Sequence, residues 1–255
     1  LSTTSCFAPR SPDKIVEIAT LCKQYDIGHV VNNAYGLQSS KCSHLINEAS
    51  KHGRVDCFVQ STDKNFMVPV GGAVVASSSE KFIQSVSQLY PGRASIGPIL
   101  DLFITLLSMG ATGYKDYLDE RKELMKYFVT TLDEFAKAHN ERLLNTKNNP
   151  ICFAMTLSNL HGMDPNFVGS MLFSRFVSGT RTVDCKTKKA ISGIDFLAYG
   201  SHVDSYPVPY LCCSCTIGIT KHDIDIFFER LQKCFHEIRK STSKQHPEND
   251  NNTAP

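Results

Sequence analysis

The chain has 255 residues, 42% of them hydrophobic and 20% charged, with a net charge of +2. That make-up fits a globular protein able to bury about three quarters of its unfolded surface, as one large domain or two of ordinary size. So small a charge excess predicts no strong electrostatic partner by itself and speaks against a dedicated nucleic-acid domain. No apolar run reaches the roughly 20 residues that cross a bilayer, and no basic start with an apolar centre marks a signal peptide.

Residues 1–6 read as the end of a strand, and a first residue Leu1 followed by Ser2-Thr3-Thr4-Ser5 suggests a strand already under way, so the sequence is expected to be a fragment. Ser11-Pro12-Asp13 is a helix-start signal, with a capping hydroxyl, proline at the first helical position and an early acid. Ile15, Ile18, Ala19, Cys22 and Tyr25 follow at the spacing of one buried helix face. Residues 27–31 form a short buried strand ending at Asn32-Asn33, and residues 39–51 a second helix with Leu45, Ile46 and Ala49 inward, closed by Gly53. Residues 55–59 are a third strand that runs into a polar turn, 60–64, presenting Lys64. Strand, helix, strand, helix and strand in succession argue for a parallel sheet covered by helices, whose site lies beyond the carboxyl ends of the strands. Three such ends are polar here: residues 2–5, Asn32-Asn33 and 60–64. A lysine at the mouth of a buried strand is where an enzyme would hold an aldehyde cofactor as a Schiff base, although such a lysine taken alone is usually a solvated charge.

The next strand, 70–76, follows too closely for a crossover helix and should run antiparallel to its predecessor. Gly71-Gly72 lacks the Gly-x-x-x-x-Gly-Lys pattern of a phosphate loop and reads as close backbone approach within a strand. Glu80–Leu89 is a helix, and Tyr90-Pro-Gly-Arg-Ala-Ser95 is a turn whose Arg93 is either solvated or an anion fork. Residues 99–109 are apolar enough for a buried helix, and 114–139 form a long charged helix linking two domains. The remainder reads as a smaller α/β domain: a strand at 150–157, a helix at 165–177, strands at 181–184 and 210–219, and a closing helix at 223–240 with Ile224, Phe227, Phe228, Leu231, Phe235 and Ile238 as its core stripe. The polar tail, 241–255, has no periodicity and should be disordered. The boundaries expected are therefore 1–110, 111–140, 141–240 and 241–255.

Among the ten cysteines the run Cys212-Cys213-Ser214-Cys215 reads as too tight for a zinc ribbon, so no metal site is expected and buried, reduced thiols of a cytoplasmic protein are the simplest reading. The nine histidines form no His-x-x-x-His pair. Lys51, His52 and Arg54 are a weak candidate RNA surface, more simply an ordinary helix end.

The segment Gln60-Ser-Thr-Asp-Lys-Asn-Phe-Met-Val-Pro-Val-Gly-Gly72 resembles the cofactor-lysine loop of the O-phosphoseryl-tRNA(Sec):selenocysteinyl-tRNA synthase family, the selenium transferases also known through soluble liver antigen. Val31-Asn-Asn-Ala-Tyr-Gly36, Tyr90-Pro-Gly-Arg-Ala-Ser95 and Gly169-Ser-Met-Leu-Phe173 match as well, and the similarity runs from Leu1 to about Lys240, roughly the second half of the family's chain. The resemblance implies the α/β fold of aminotransferase-like, fold type I pyridoxal-phosphate (PLP) enzymes, with residues 1–110 as the remainder of the large PLP-binding domain, the upstream part of that domain missing, and 141–240 as the smaller C-terminal domain. It implies PLP-dependent conversion of O-phosphoseryl-tRNA(Sec) to selenocysteinyl-tRNA(Sec) with selenophosphate, by β-elimination and selenium addition, in a cytoplasmic homotetramer. It gives Lys64 the role of Schiff-base and catalytic lysine, Ser61 a bond to the cofactor phosphate, Asn32 the place opposite the pyridine nitrogen where most relatives of the fold carry an aspartate, and Arg93 the phosphate of phosphoserine. The alternative is an inactive chain of the same family that serves only as a binding or assembly partner. A desulfurase- or decarboxylase-like enzyme is disfavoured by Asn32-Asn33 and by the lack of a His-Lys pair.

Overall fold

The strand–helix alternation at the start of the chain folds as a four-stranded sheet in the computed structural model, which describes residues 1–90, 94–146, 148–160 and 162–245. Strand β1 (Ser2–Thr3) leads to helix α1 (Ile15–Gln24), β2 (Val30–Asn32), α2 (Ser40–His52) and β3 (Cys57–Ser61). The three strands are parallel, in the order β1-β2-β3, with Thr3 opposite Asn32 and Asn32 opposite Val59. A one-turn helix α3 (Thr62–Phe66) follows, and then β4 (Ala73–Ala76), which returns antiparallel beside β3 as its short connection requires.

Because side chains alternate across a strand, the sheet has two unlike faces. Val31 and Phe58 point to the side covered by α1 and α2, where Ile15, Ala19, Val31, Ile46 and Ala49 form a closed cluster. Burying a side chain the size of Ile15, Val31 or Ile46 stabilises the fold by about 1.5–3 kcal/mol each. Asn32, Val59 and Val75 share the other face by register, and there Asn32 is exposed and Val75 is 40% exposed.

Several boundaries differ from expectation. Helix α1 begins at Ile15 with no side-chain cap, so Ser11-Pro12-Asp13 does not start it. The Asp13 carboxylate instead accepts the Thr3 amide at 2.7 Å and pairs with Arg10, which spends the acid on tying the loop to β1. Tyr25, placed inward by periodicity, is exposed because the helix has ended. Strand β4 starts three residues later than read, and Gly72 lies just ahead of it, where a Cβ would stand 2.6 Å from the Thr62 hydroxyl. Close approach does explain that glycine, but against α3 and not within a strand.

Helix α4 (Glu80–Leu89) is capped by Ser79, whose hydroxyl accepts the Phe82 amide at 3.2 Å. Helix α5 (Gly97–Ala138) is two helices merged across Gly110, whose φ of 62° and ψ of 178° are not helical. Its first part is not the buried helix expected: Ile99, Leu100, Phe103, Ile104, Leu106 and Leu107 are all exposed.

The chain divides into two compact units. The first holds residues 1–130, 144–153 and 214–220; the second holds 131–143, 154–213 and 221 onward. Strands β5 (Cys152–Thr156), β6 (Arg181–Val183) and β9 (Tyr210–Ser214), most of whose residues fall in the second, make a sheet in the order β5-β9-β6, and the second also holds α6 (Asn166–Phe173) and α7 (Lys221–Gln245). The α7 stripe packs inward at Ile224, Phe227, Leu231, Cys234, Phe235 and Ile238. The helix runs on to Gln245, which corrects the expectation of a disordered tail from residue 241; residues 246–255 lie outside the described residues. A hairpin, β7 (Lys189–Ile191) and β8 (Ile194–Phe196), turns at Ser192-Gly193, both at positive φ. Among the described residues there is no disulfide, seven of the ten cysteines are buried, and no helix is long and apolar enough to cross a membrane.

Candidate active site

The polar strand ends divide between the two faces of the first sheet. On the covered side the Thr4 hydroxyl donates to the Asn33 amide oxygen at 2.7 Å, and the Asn33 amide nitrogen donates to Gln60 at 3.3 Å. Thr4, Asn33 and Gln60 are buried, so they serve as a structural clasp across three strands. Asn32 and Ser61 belong to the opposite face, on adjacent strands, since Asn32 sits opposite Val59 and Ser61 lies two residues on.

Lys64 stands in the one-turn helix α3, not in the open turn expected. Its amine donates to the Ser61 hydroxyl at 3.2 Å, lies 3.6 Å from the Asp63 carboxylate and 5.3 Å from the centre of the Tyr35 ring. The side chain is 31% exposed, so the amine is both held and reachable. Helix α3 is fixed from several sides. The buried Asn65 amide donates to the carbonyls of Ala34 (2.8 Å) and Ser61 (2.7 Å), and the Ser61 amide donates to Ala34 at 3.3 Å. The Thr62 amide donates to the Gly72 carbonyl at 3.1 Å, and Phe66 stacks on Tyr114 with ring centroids 5.6 Å apart.

Asn32 is oriented by its own turn. Its side-chain oxygen accepts the Ala34 amide at 3.0 Å, and that bond assigns the amide so that its nitrogen is the group presented outward. The loop carrying Asn32 and Tyr35 and the element carrying Ser61 and Lys64 thus lie side by side. Arg93 lies outside the described residues, as do Pro91 and Gly92.

Gln38, Asn65, Tyr35 and Asp63 went unassigned at the sequence level. Tyr35, Asp63 and Asn65 fall inside the motif blocks; Gln38 lies outside them and carries no spacing or charge signal that would single it out. Beneath the site, Arg121 is 4% exposed, and its guanidinium donates to the carbonyls of Gln38 (3.0 Å), Pro150 (3.0 Å) and Cys215 (3.2 Å). Burial presses its pKa down, and it raises the thiol of Cys215 to about 11 and that of Cys42 in direction. Thiols so shifted are protonated and inert at neutral pH. The basic cluster considered for RNA is already engaged: Lys51 bonds Glu48 at 2.8 Å, His52 lies 3.6 Å from the same carboxylate, and Arg54 pairs with Asp26 and Asp56.

A partly exposed primary amine beside a hydroxyl, next to an open sheet face that carries an amide donor, suits an aldehyde cofactor that also carries a phosphate and a ring nitrogen.

The family model for O-phosphoseryl-tRNA(Sec) selenium transferase matches residues 1–236. The O-phosphoseryl-tRNA(Sec) selenium transferase of Dictyostelium discoideum is 54% identical over 254 residues, covering 92% of this chain and 53% of that protein. The crystal structure of an archaeal O-phosphoseryl-tRNA(Sec) selenium transferase superposes with a TM-score of 0.81 at 31% identity, over 91% of this chain and 50% of that one. A TDC of Oryza sativa, crystallised with PLP and tryptamine, superposes with a TM-score of 0.60 at 11% identity over 93% of this chain and 48% of its own. That last likeness is one of fold alone, the fold type I architecture of PLP enzymes. The chain spans about half the length of the curated relatives it matches. On the match over nearly its whole length, the chain belongs to the O-phosphoseryl-tRNA(Sec) selenium transferase family.

Proposed function

We propose that the protein containing this chain converts O-phosphoseryl-tRNA(Sec) to selenocysteinyl-tRNA(Sec) with selenophosphate as the selenium donor, using PLP held on Lys64. The observation that carries this reading is the Lys64 amine, reachable and bonded to Ser61, beside an open sheet face on which Asn32 presents an amide nitrogen. When bound, PLP supplies a conjugated ring that spreads the negative charge left on the substrate Cα by loss of its proton. The chain's own residues do the rest. Ser61, which accepts from the Lys64 amine, would offer its hydroxyl proton to the cofactor phosphate. Asn32 would donate to the ring nitrogen. Lys64 would act as the base that takes the proton from Cα. Arg93 would hold the phosphate of phosphoserine as its C–O bond breaks. Selenium from selenophosphate would then bond to Cβ of the double bond left by phosphate loss, its Se–P bond breaking with water taking the phosphoryl group as phosphate, and Lys64 would return the proton to Cα.

In this reading residues 1–110 belong to the PLP-binding domain, 111–140 to the linking helix and 141–240 to the smaller domain of a cytoplasmic homotetramer that binds tRNA(Sec). The open sheet face favours one alternative: the chain keeps the fold and contacts of its family but does not turn over by itself.

The purified chain is mixed with PLP and reduced with borohydride, the labelled peptide is mapped, and phosphate release from phosphoseryl-tRNA(Sec) is then assayed. An adduct on Lys64 that disappears in Lys64→Ala is expected. An adduct without phosphate release identifies the inactive chain, and an adduct elsewhere, or none, removes Lys64 from the site.

A further inference from the structure

A helix of five residues cannot hold its own place. Nucleating the first turn fixes several dihedrals for a single hydrogen bond, so α3 sits where tertiary contacts put it. One side chain reaches the carbonyl of Lys64 itself. Gln38, 2% exposed, donates its amide nitrogen to the Lys64 carbonyl at 2.5 Å. Its amide oxygen accepts the backbone amide of Ile217 at 2.6 Å. Both ends of one amide are therefore spent on joining the lysine helix to the turn that follows β9. The same turn meets α3 a second time: Gly218, at a φ of 86°, leaves room for Met67, whose sulfur would lie 2.3 Å from a Cβ there. Met67 is the left-handed residue that ends α3. Gln38 is held in turn from below, because its own carbonyl accepts from Arg121, and Arg121 also bonds the carbonyl of Cys215 in that turn.

We propose that Gln38 is a positioning residue for Lys64, fixing the lysine's backbone against the turn at residues 215–218, with the buried Arg121 fixing Gln38. Gln38 is buried and acts through the backbone of Lys64. It acts on where the amine of Lys64 can reach, and the inference rests on Lys64 being the cofactor lysine. A leucine at 38 keeps the bulk and removes both bonds. A glutamate keeps the acceptor for Ile217 but cannot, while ionised, donate to the Lys64 carbonyl.

Two measurements on the full chain separate the possibilities. Amide hydrogen exchange without PLP reads the helix alone. Loss of one such bond corresponds to about a tenfold faster exchange for the amides of residues 62–67, and in Gln38→Leu and Gln38→Glu those amides are expected to quicken by at least that factor while α1 and α2 are unchanged. Borohydride trapping with PLP reads the lysine: both variants are expected to require about tenfold more PLP for half-maximal labelling of Lys64. Should Gln38→Leu fail to fold, Gln38→Glu carries the test. Wild-type exchange at 62–67 in both variants, or unchanged labelling, overturns the positioning role. If the wild-type chain itself takes no label on Lys64, the cofactor assignment falls, and the exchange data still decide whether Gln38 holds α3.

Discussion

Asn32 shows how one atom can set the electronic character of a site. Its side-chain oxygen accepts the Ala34 amide at 3.0 Å, so the end of the amide not used by the turn is an N–H donor. A donor suits a ring nitrogen that carries no proton; an aspartate would instead hold that nitrogen protonated and make the ring a stronger electron sink. Phosphate is a good leaving group, so the proposed elimination would need less of that sink. Asn32→Asp keeps the bond to Ala34, so the fold should survive, while phosphate release in an active full-length protein is expected to stay level or fall. A several-fold rise would show that the neutral partner does not suit the reaction. Lys64, Ser61 and Asn32 could be picked out in the sequence because they fall in family-like blocks at strand ends. Gln38 lies outside those blocks, and Asn65, though inside one, has no signal of its own, because what matters is which carbonyls each reaches, and the fold determines that.

At the scale of elements, Gly110 explains why a 42-residue helical stretch is two helices. Its φ of 62° and ψ of 178° fall in a region open almost only to glycine, and nothing crowds a Cβ built there, so conformation and not space forbids a side chain. Gly110→Ala is expected to cost about 1–3 kcal/mol, read as a lower denaturation midpoint with unchanged slope. An unchanged midpoint would mean that the break relaxes without penalty. This break was legible from composition, since an apolar run ends at Met109 and a charged one begins at Tyr114. Helix α4 was legible for a related reason: Ser79 caps it and Glu80 opens it. Helix α3 was not, because five residues are too few to show a period, and Thr62-Asp63 reads equally well as turn chemistry. The start of α1 misled because Asp13 serves β1 instead of the helix.

At the scale of the whole molecule, the two compact units need not respond alike to pH, and His139 in the second gives it a distinct response. The ring is 6% exposed, stacked on Phe135 with centroids 4.2 Å apart and edge-on to Phe235 at 4.7 Å. Its Nδ1 donates to the Phe135 carbonyl at 2.9 Å, while Nε2 is buried with no hydrogen-bond partner. Burial therefore lowers the pKa from the ordinary 6.5, since a second proton would sit at Nε2 among aromatic rings. The unfolded chain takes up this proton first as pH falls, so the stabilising effect of a neutral His139 is complete above about pH 6.5 and declines below it, by at most about 1.4 kcal/mol per pH unit for one proton. The carboxylates held low, Asp119 at about 2 and Glu48, Asp184 and Glu229 in the same direction, act only in more acid solution. His139 should thus contribute to a loss of stability between pH 6.5 and 5. Thermal or urea unfolding followed across that window, with a probe in the second unit, should show the decline in wild type and a flatter profile in His139→Phe, which keeps an aromatic ring and has no proton to gain. A decline of equal size in that variant would place the titrating group elsewhere.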